Sequence, residues 1–420
     1  MWAGAGRSGE RAAGVSDPVG PAVPGGAASP VSRAGLIGLS LGVAAAGAAA
    51  GVAIERLTLG RARRRAREEL DAVAPFGTLR GRPRTVRAED GTELYVEVDG
   101  PEAGESALTV VFCHGYCLNQ DSFHFQRAAL RAGLRLVFWD QRSHGRSERS
   151  RSYLAGRPAS IDQLGSDLKA VLDAVVPSGP LVLVGHSMGG MTVMALADQE
   201  PQLFRERVAG VALIGTMAGQ WDTVTFGLPP VGSKVWRRVG PGVVRLLGSQ
   251  VGLVEATRRI GADVSAVFYR RFSFGGGKPV DPAVARFAEQ LLDGTPIDVV
   301  AEFYPAFGAH EKTAALATMT GLPVLVLAGT EDLITPATQS EAIARALPEA
   351  ELVLVPGAGH LVLLECPVEV DHRLAVLLER AAERAGARLP AAVHELARGA
   401  DEPARGADES PGEEQSRPGA

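Results

Sequence analysis

Cysteine is nearly absent: Cys113, Cys117 and Cys366 are the only three in 420 residues. They are too few and too scattered for a disulfide framework or a four-ligand zinc site, and a reducing compartment fits best. A dominant charge is missing as well, since 43 basic side chains stand against 48 acidic ones for a formal net charge of -5. No field of that size pulls in a nucleic acid backbone, so nucleic acid is not an expected partner. Aromatic residues make up only 5%, and the 51 glycines point to compositional bias rather than to function. What remains, 46% hydrophobic and 22% charged, is an ordinary globular composition. The chain is long enough for one or two domains around a large core.

The ends read differently from the middle. Residues 1–33 are rich in Gly, Pro, Ala and Ser and lack apolar clusters, which predicts disorder. Residues 34–54 carry no charge and are long enough to span a bilayer as a helix, although Ala and Gly dominate them. Three readings stay open: a transmembrane helix, an Ala-rich helix of a soluble protein, and an export signal with A-x-A triplets near 44–50. Arg56, Arg61, Arg63, Arg64, Arg65 and Arg67 crowd the basic segment 55–75, whereas only Arg33 lies close to the other flank. An export signal carries its charge before the apolar stretch, so the asymmetry favours a single-pass anchor at the cytoplasmic membrane with the folded domain inside. A soluble cytoplasmic enzyme is the alternative. At the other end, 386–420 reads as a solvated, disordered tail.

Between these ends, 84–99 alternates polar and apolar residues around Asp90-Gly91, a hairpin pattern. Short Val/Leu runs follow at 108–113, 135–139, 180–184, 208–214, 323–328 and 351–355, and such runs suit strands covered on both faces. Helical patterns occupy 162–176, 188–200, 336–347 and 367–385. The alternation predicts an α/β fold with a mostly parallel, doubly wound sheet. Its core is assigned to 76–217 and 321–385. The interval 218–320 holds no comparable strand run and reads as an inserted helical cap.

Directly after the run LVLV stands Gly185-His186-Ser187-Met188-Gly189, followed by a helical pattern. Glycines at both ends of G-x-S-x-G permit a tight strand-to-helix turn that exposes the serine hydroxyl. A serine needs a base and an acid that orients it. Asp332, in the loop after 323–328, and His360, in the Gly-rich loop after 351–355, supply them in order. Glu331 is the rival acid, and Asp332 is preferred. Gly115 lets the backbone N–H of Tyr116 turn toward the same point as that of Met188, giving two donors for an oxyanion hole, each worth roughly 3 kcal/mol in an acyl-transfer transition state. His114 and His144 read as structural. Cys113 and Cys117 with one histidine make an incomplete metal site, and no metal or cofactor is expected.

Taken together, H-G-Y at 114–116, D-Q-R-S-H-G-R-S at 140–147, G-H-S-M-G-G at 185–190, G-T-E-D-L-I-T-P at 329–336 and G-A-G-H at 357–360 resemble the α/β-hydrolase fold family over residues 84–382. The nearest subgroup is that of lipase/esterase-like or cofactor-free haloperoxidase-like serine enzymes. The resemblance implies a triad of Ser187, Asp332 and His360, an oxyanion hole at Tyr116 and Met188, and a variable lid over 218–320. A nucleophilic serine argues against the aspartate-dependent epoxide hydrolases and dehalogenases. The expected activity is cleavage of a carboxylic ester through an acyl-serine, with peroxide-dependent chemistry and a non-catalytic binding protein as alternatives. The expected substrate is a small, apolar acyl compound. Phe268, Tyr269, Phe272, Phe274, Phe303, Tyr304 and Phe307 are the aromatic candidates, some to line its pocket and more than half to bury the cap.

Overall fold

A computed structural model describes residues 76–102, 108–250, 271–277 and 279–399. The expectations for 1–33, 34–54 and 55–75 concern residues outside these. Among the described residues no helix is long and apolar enough to cross a membrane.

The alternating stretch folds into β1 (Arg82–Arg87) and β2 (Glu93–Asp99), an antiparallel hairpin closing at Arg87 and Glu93. Gly91 takes a φ of +83°, which its missing Cβ permits. The Val/Leu runs become β3 (Thr109–Cys113), β4 (Arg135–Trp139), β5 (Leu181–His186), β6 (Val208–Ile214), β7 (Val324–Gly329) and β8 (Glu351–Val355). One sheet forms in the order β1-β2-β4-β3-β5-β6-β7-β8. β2 is antiparallel to both neighbours, and the strands from β4 to β8 are parallel.

Between and beyond the strands run α1 (His124–Leu130), α2 (Ile161–Val175), α3 (Met188–Gln199), α4 (Pro201–Arg207), α5 (Pro230–Ser249), α6 (Pro282–Asp293), α7 (Ile297–Ala309), α8 (Ala337–Ala346), α9 (Pro367–Ala385) and α10 (Ala391–Arg398). Every residue of β3 to β7 is buried, because helices cover both faces. Alternate side chains feed opposite cores. Phe112, Phe138, Val184 and Leu327 pack with α1 and α9, while Val111, Val137, Leu183 and Val326 pack with α2, α3 and α8.

Two boundaries need correction. Part of the expected disordered tail is helix α10. Its Val393 and Ala397 are buried, and Leu396 accepts a hydrogen bond from His372 Nδ1 at 3.2 Å. Gly386, the first residue of the expected tail, ends α9 in the left-handed conformation (φ +61°), so it marks a turn within folded chain. The described residues of the insertion are mainly helical, yet α6 packs into the body rather than lying over it as a cap helix. Val284, Phe287, Ala288 and Leu291 enter the core that holds Phe112 and Phe138, and Phe287 meets Phe76 at 5.5 Å between ring centres. Over the site lies α7, through Tyr304 and Phe307, with Leu292 of α6 beside it, and α5 packs on α7. The ends of the insertion meet at a neck, where His310 Nε2 donates to Met217 O at 3.2 Å and Lys312 N to Ala218 O at 2.6 Å, and a second tie runs from Leu361 N to Ser273 O at 2.8 Å.

On α9, burial pushes the Asp371 carboxyl up to about 7, with Gln126 Nε2 donating to its Oδ1 at 2.8 Å. The folded chain therefore holds a proton that the unfolded chain releases near pH 4, and stability drops as pH rises from about 4 to 7. An asparagine in its place would keep the Gln126 hydrogen bond without the charge. Urea denaturation should show Asp371→Asn more stable than wild type by roughly 2–4 kcal/mol at pH 8, with the gap closing toward pH 5. A gap independent of pH would show that burial does not govern this carboxyl.

Candidate active site

Ser187 stands between β5 and α3 with φ 54° and ψ -120°, a strained conformation for a residue with a Cβ. Backbone bonds hold it there: Ser187 N donates to Ile214 O at 2.9 Å, and Thr216 Oγ1 donates to Ser187 O at 2.7 Å. The turn needs its glycines, because a Cβ on Gly185 would lie 2.5 Å from Gly189 O and one on Gly189 would strike the Cys113 carbonyl.

The loops after β7 and β8 bring two partners to this turn. His360 Nε2 lies 3.0 Å from Ser187 Oγ, and His360 Nδ1 lies 2.8 Å from Asp332 Oδ2. All three side chains are buried. Asp332 is itself oriented: Ile334 N and Thr335 N each donate to Oδ1 at 2.8 Å, and Thr335 Oγ1 donates to Oδ2 at 2.8 Å. Glu331 turns away and accepts from Gly276 N. A carboxylate at Nδ1 keeps the ring proton on that nitrogen, so the Nε2 lone pair faces the serine hydroxyl.

Sequence reasoning missed the tie between the two loops. His186 Nε2 donates to the His360 carbonyl at 3.0 Å, and burial pushes this ring down to about 3, which keeps it neutral. Thr335 was also overlooked, although a threonine three residues beyond an acidic loop residue is a local hydrogen-bonding pattern.

The loop after β3 approaches the serine closely. A Cβ on Gly115 would sit 3.1 Å from Ser187 Cβ and 2.9 Å from His186 Nδ1, so only glycine lets the backbone pass. His114 locks the loop from within: its Nδ1 donates to Gly115 O at 2.8 Å, and its Nε2 accepts from Gln141 N at 2.9 Å. Gln141 Oε1 accepts from Thr192 Oγ1 on α3 at 2.8 Å, which ties the loop to the helix that Met188 opens. The N–H groups of a first helical turn have no intrahelical acceptor and carry partial positive charge. Burial lowers His114 to about 3 and His144 to about 4, and His144 Nδ1 donates to Arg142 O at 2.9 Å. Both rings thus serve as neutral struts.

Above Ser187 lies a cavity of about 160 Å³ with largely apolar walls, among them Tyr116, Leu118, Met191, Trp221, Phe226, Tyr304, Phe307 and Ile334. Of the aromatic candidates, Tyr304 and Phe307 line it, Phe303 packs behind it with Met188 and Met191, and Phe274 joins the body core. Phe272 is half-buried, and Phe268 and Tyr269 lie outside the described residues. Trp221 and Phe226 were not anticipated; they follow β6 in an irregular segment without periodicity.

Comparison with known proteins agrees with this architecture. A dihydrolipoyllysine-residue acetyltransferase component of the acetoin cleaving system of Pseudomonas putida is 28% identical over 279 residues, 66% of this chain and 65% of that protein, so the chain spans just under two thirds of this relative. A bifunctional esterase/perhydrolase of Acinetobacter calcoaceticus is 25% identical over 66% of this chain and 92% of its own length. Among solved structures, a thermophilic esterase from Thermogutta terrifontis superposes with a TM-score of 0.55 at 24% identity, covering 71% of this chain and 98% of that one. The family model for the alpha/beta hydrolase fold matches residues 109–367, and the chain belongs to that family.

Proposed function

We propose that the protein is a serine hydrolase that cleaves a carboxylic ester, or a related acyl compound, through an acyl-Ser187 intermediate. The observation that carries this reading is the hydrogen-bonded series from Ser187 Oγ through the His360 ring to Asp332 at 3.0 and 2.8 Å. His360 Nε2 takes the hydroxyl proton as Oγ attacks the acyl carbon, and returns it to the departing alcohol. It then removes a proton from the water that attacks the acyl-enzyme. Asp332 holds the ring tautomer and stabilises the imidazolium. The backbone N–H groups of Tyr116 and Met188 receive the oxyanion, and the apolar cavity accepts a small apolar acyl group.

Reaction with a fluorophosphonate probe tests the proposal. The wild type is expected to label at Ser187 and Ser187→Ala to remain unlabelled; equal labelling of both, or none of the wild type, overturns it. The Acinetobacter relative, an esterase/perhydrolase by name, supports a second reading in which hydrogen peroxide replaces water and releases a peracid. Bromide oxidation in acetate and peroxide, compared with ester turnover, separates the two. We also propose that residues 34–54 tether the enzyme to the cytoplasmic membrane with its catalytic domain inside, on the strength of the arginines that follow them. If the full chain and one starting at Asp71 both fractionate as soluble, the tether is wrong.

A further inference from the structure

Helix α5 presents an apolar face to solvent. Val231, Val235, Val239 and Leu246 are exposed by 75%, 57%, 52% and 63%, and seven of the ten exposed large hydrophobic side chains among the described residues fall between 228 and 247. Monomeric proteins scatter such residues singly, and a concentration of them marks a contact surface. At 100° per residue the four lie on one side of the helix. Ser233 and Gly240, which are buried, lie on the other. Trp236, beside them, donates to Tyr304 Oη at 3.1 Å and fastens the helix to α7.

Charge decides what this face meets. Residues 230–249 include Lys234, Arg237, Arg238 and Arg245 and no acidic residue, within a chain whose formal net charge is -5. Lys234, Arg238 and Arg245 border the apolar stripe on one flank, where long basic side chains can reach headgroups while the stripe sinks below them. A second copy docking here would set four cations against four, which disfavours self-association. An anionic bilayer matches both features at once, because it is apolar within and negative at its surface.

We propose that α5 lies in the plane of an anionic lipid surface, with Val231, Val235, Val239 and Leu246 seated among the acyl chains and the basic flank at the phosphates. This interaction is independent of the chemistry assigned to Ser187 and of residues 34–54.

Hydrogen–deuterium exchange of the full chain, read on peptides from 230–249, tests it without interference from contacts elsewhere. Vesicles of phosphatidylcholine mixed with phosphatidylglycerol are expected to slow exchange there about tenfold or more. The effect should weaken at high salt, and phosphatidylcholine alone should do little. A Val231→Ser/Val235→Ser/Leu246→Ser variant should lose the protection while retaining fluorophosphonate labelling, which also reports that it is folded. Should that variant fail to fold, the wild type with and without vesicles still decides. Unchanged exchange on mixed vesicles overturns the proposal, as does equal protection by neutral ones. Protection that grows with protein concentration in the absence of lipid would assign the face to a second copy and overturn it equally.

Discussion

Ser187→Ala is expected to lower kcat/KM for a p-nitrophenyl ester by about a million-fold, and the Ser187→Ala/His360→Ala double variant by nearly the same factor. The reason is geometric: His360 Nε2 lies 3.0 Å from Ser187 Oγ and has no other role in the proposed attack. A base without its nucleophile contributes almost nothing, so the two losses cannot add. The residual rate should still exceed that of water, because the donors at Tyr116 and Met188 survive. Losses that multiply, or a Ser187→Ala enzyme within tenfold of wild type, would mean that another group attacks the substrate.

Asp332→Asn is expected to cost about 10,000-fold in kcat with little loss of fold. Ile334 N and Thr335 N both donate to Oδ1, so an asparagine at this position must leave its carbonyl oxygen there. Its NH₂ group then occupies the Oδ2 position and donates to His360 Nδ1. The ring proton is forced onto Nε2, which can no longer accept from the serine. Steady-state kinetics beside thermal unfolding checks this: a small drop in rate, or a loss of rate that only follows a loss of stability, would contradict the tautomer argument.

Much of this architecture is legible in the residues themselves. Runs such as LVLV before Gly185 announce strands buried on both faces, and Asp90-Gly91 announces the hairpin, because both patterns follow from local backbone geometry. The short helices α1 and α4 escape the pattern, since seven residues give too few turns for a period to show. Helix α10 is hidden for another reason: its two buried side chains make sense only against α9, a contact that sequence spacing does not reveal.

The separation between visible and hidden is similar at the site. Ser187, Asp332 and His360 stand at the ends of recognisable strand runs, and the structure brings them together. The bond from His186 to the His360 carbonyl joins residues 174 positions apart through a backbone acceptor that any residue would provide. Trp221 and Phe226 reach the cavity from an irregular segment whose path is set by its packing on Phe307 and on each other.

The neck at Met217–Ala218 and His310–Lys312 has an evolutionary and practical consequence. A segment whose two ends are already pinned side by side can be exchanged for a longer or shorter one with little effect on the rest, because closing a flexible loop costs only about 0.6 kcal/mol more per doubling of its length. Swapping caps between relatives is therefore a route to new selectivity that leaves the reacting groups in place. The seam should not follow the neck alone. Helix α6 lies inside the interval but is rooted in the body through Phe287 and Leu291, so a chimera that replaces 219–309 wholesale would remove part of the core. One that exchanges 219–250 and 297–309 but retains α6 and 273–277 would keep that core and the hydrogen bond from Leu361 N to Ser273 O beside His360.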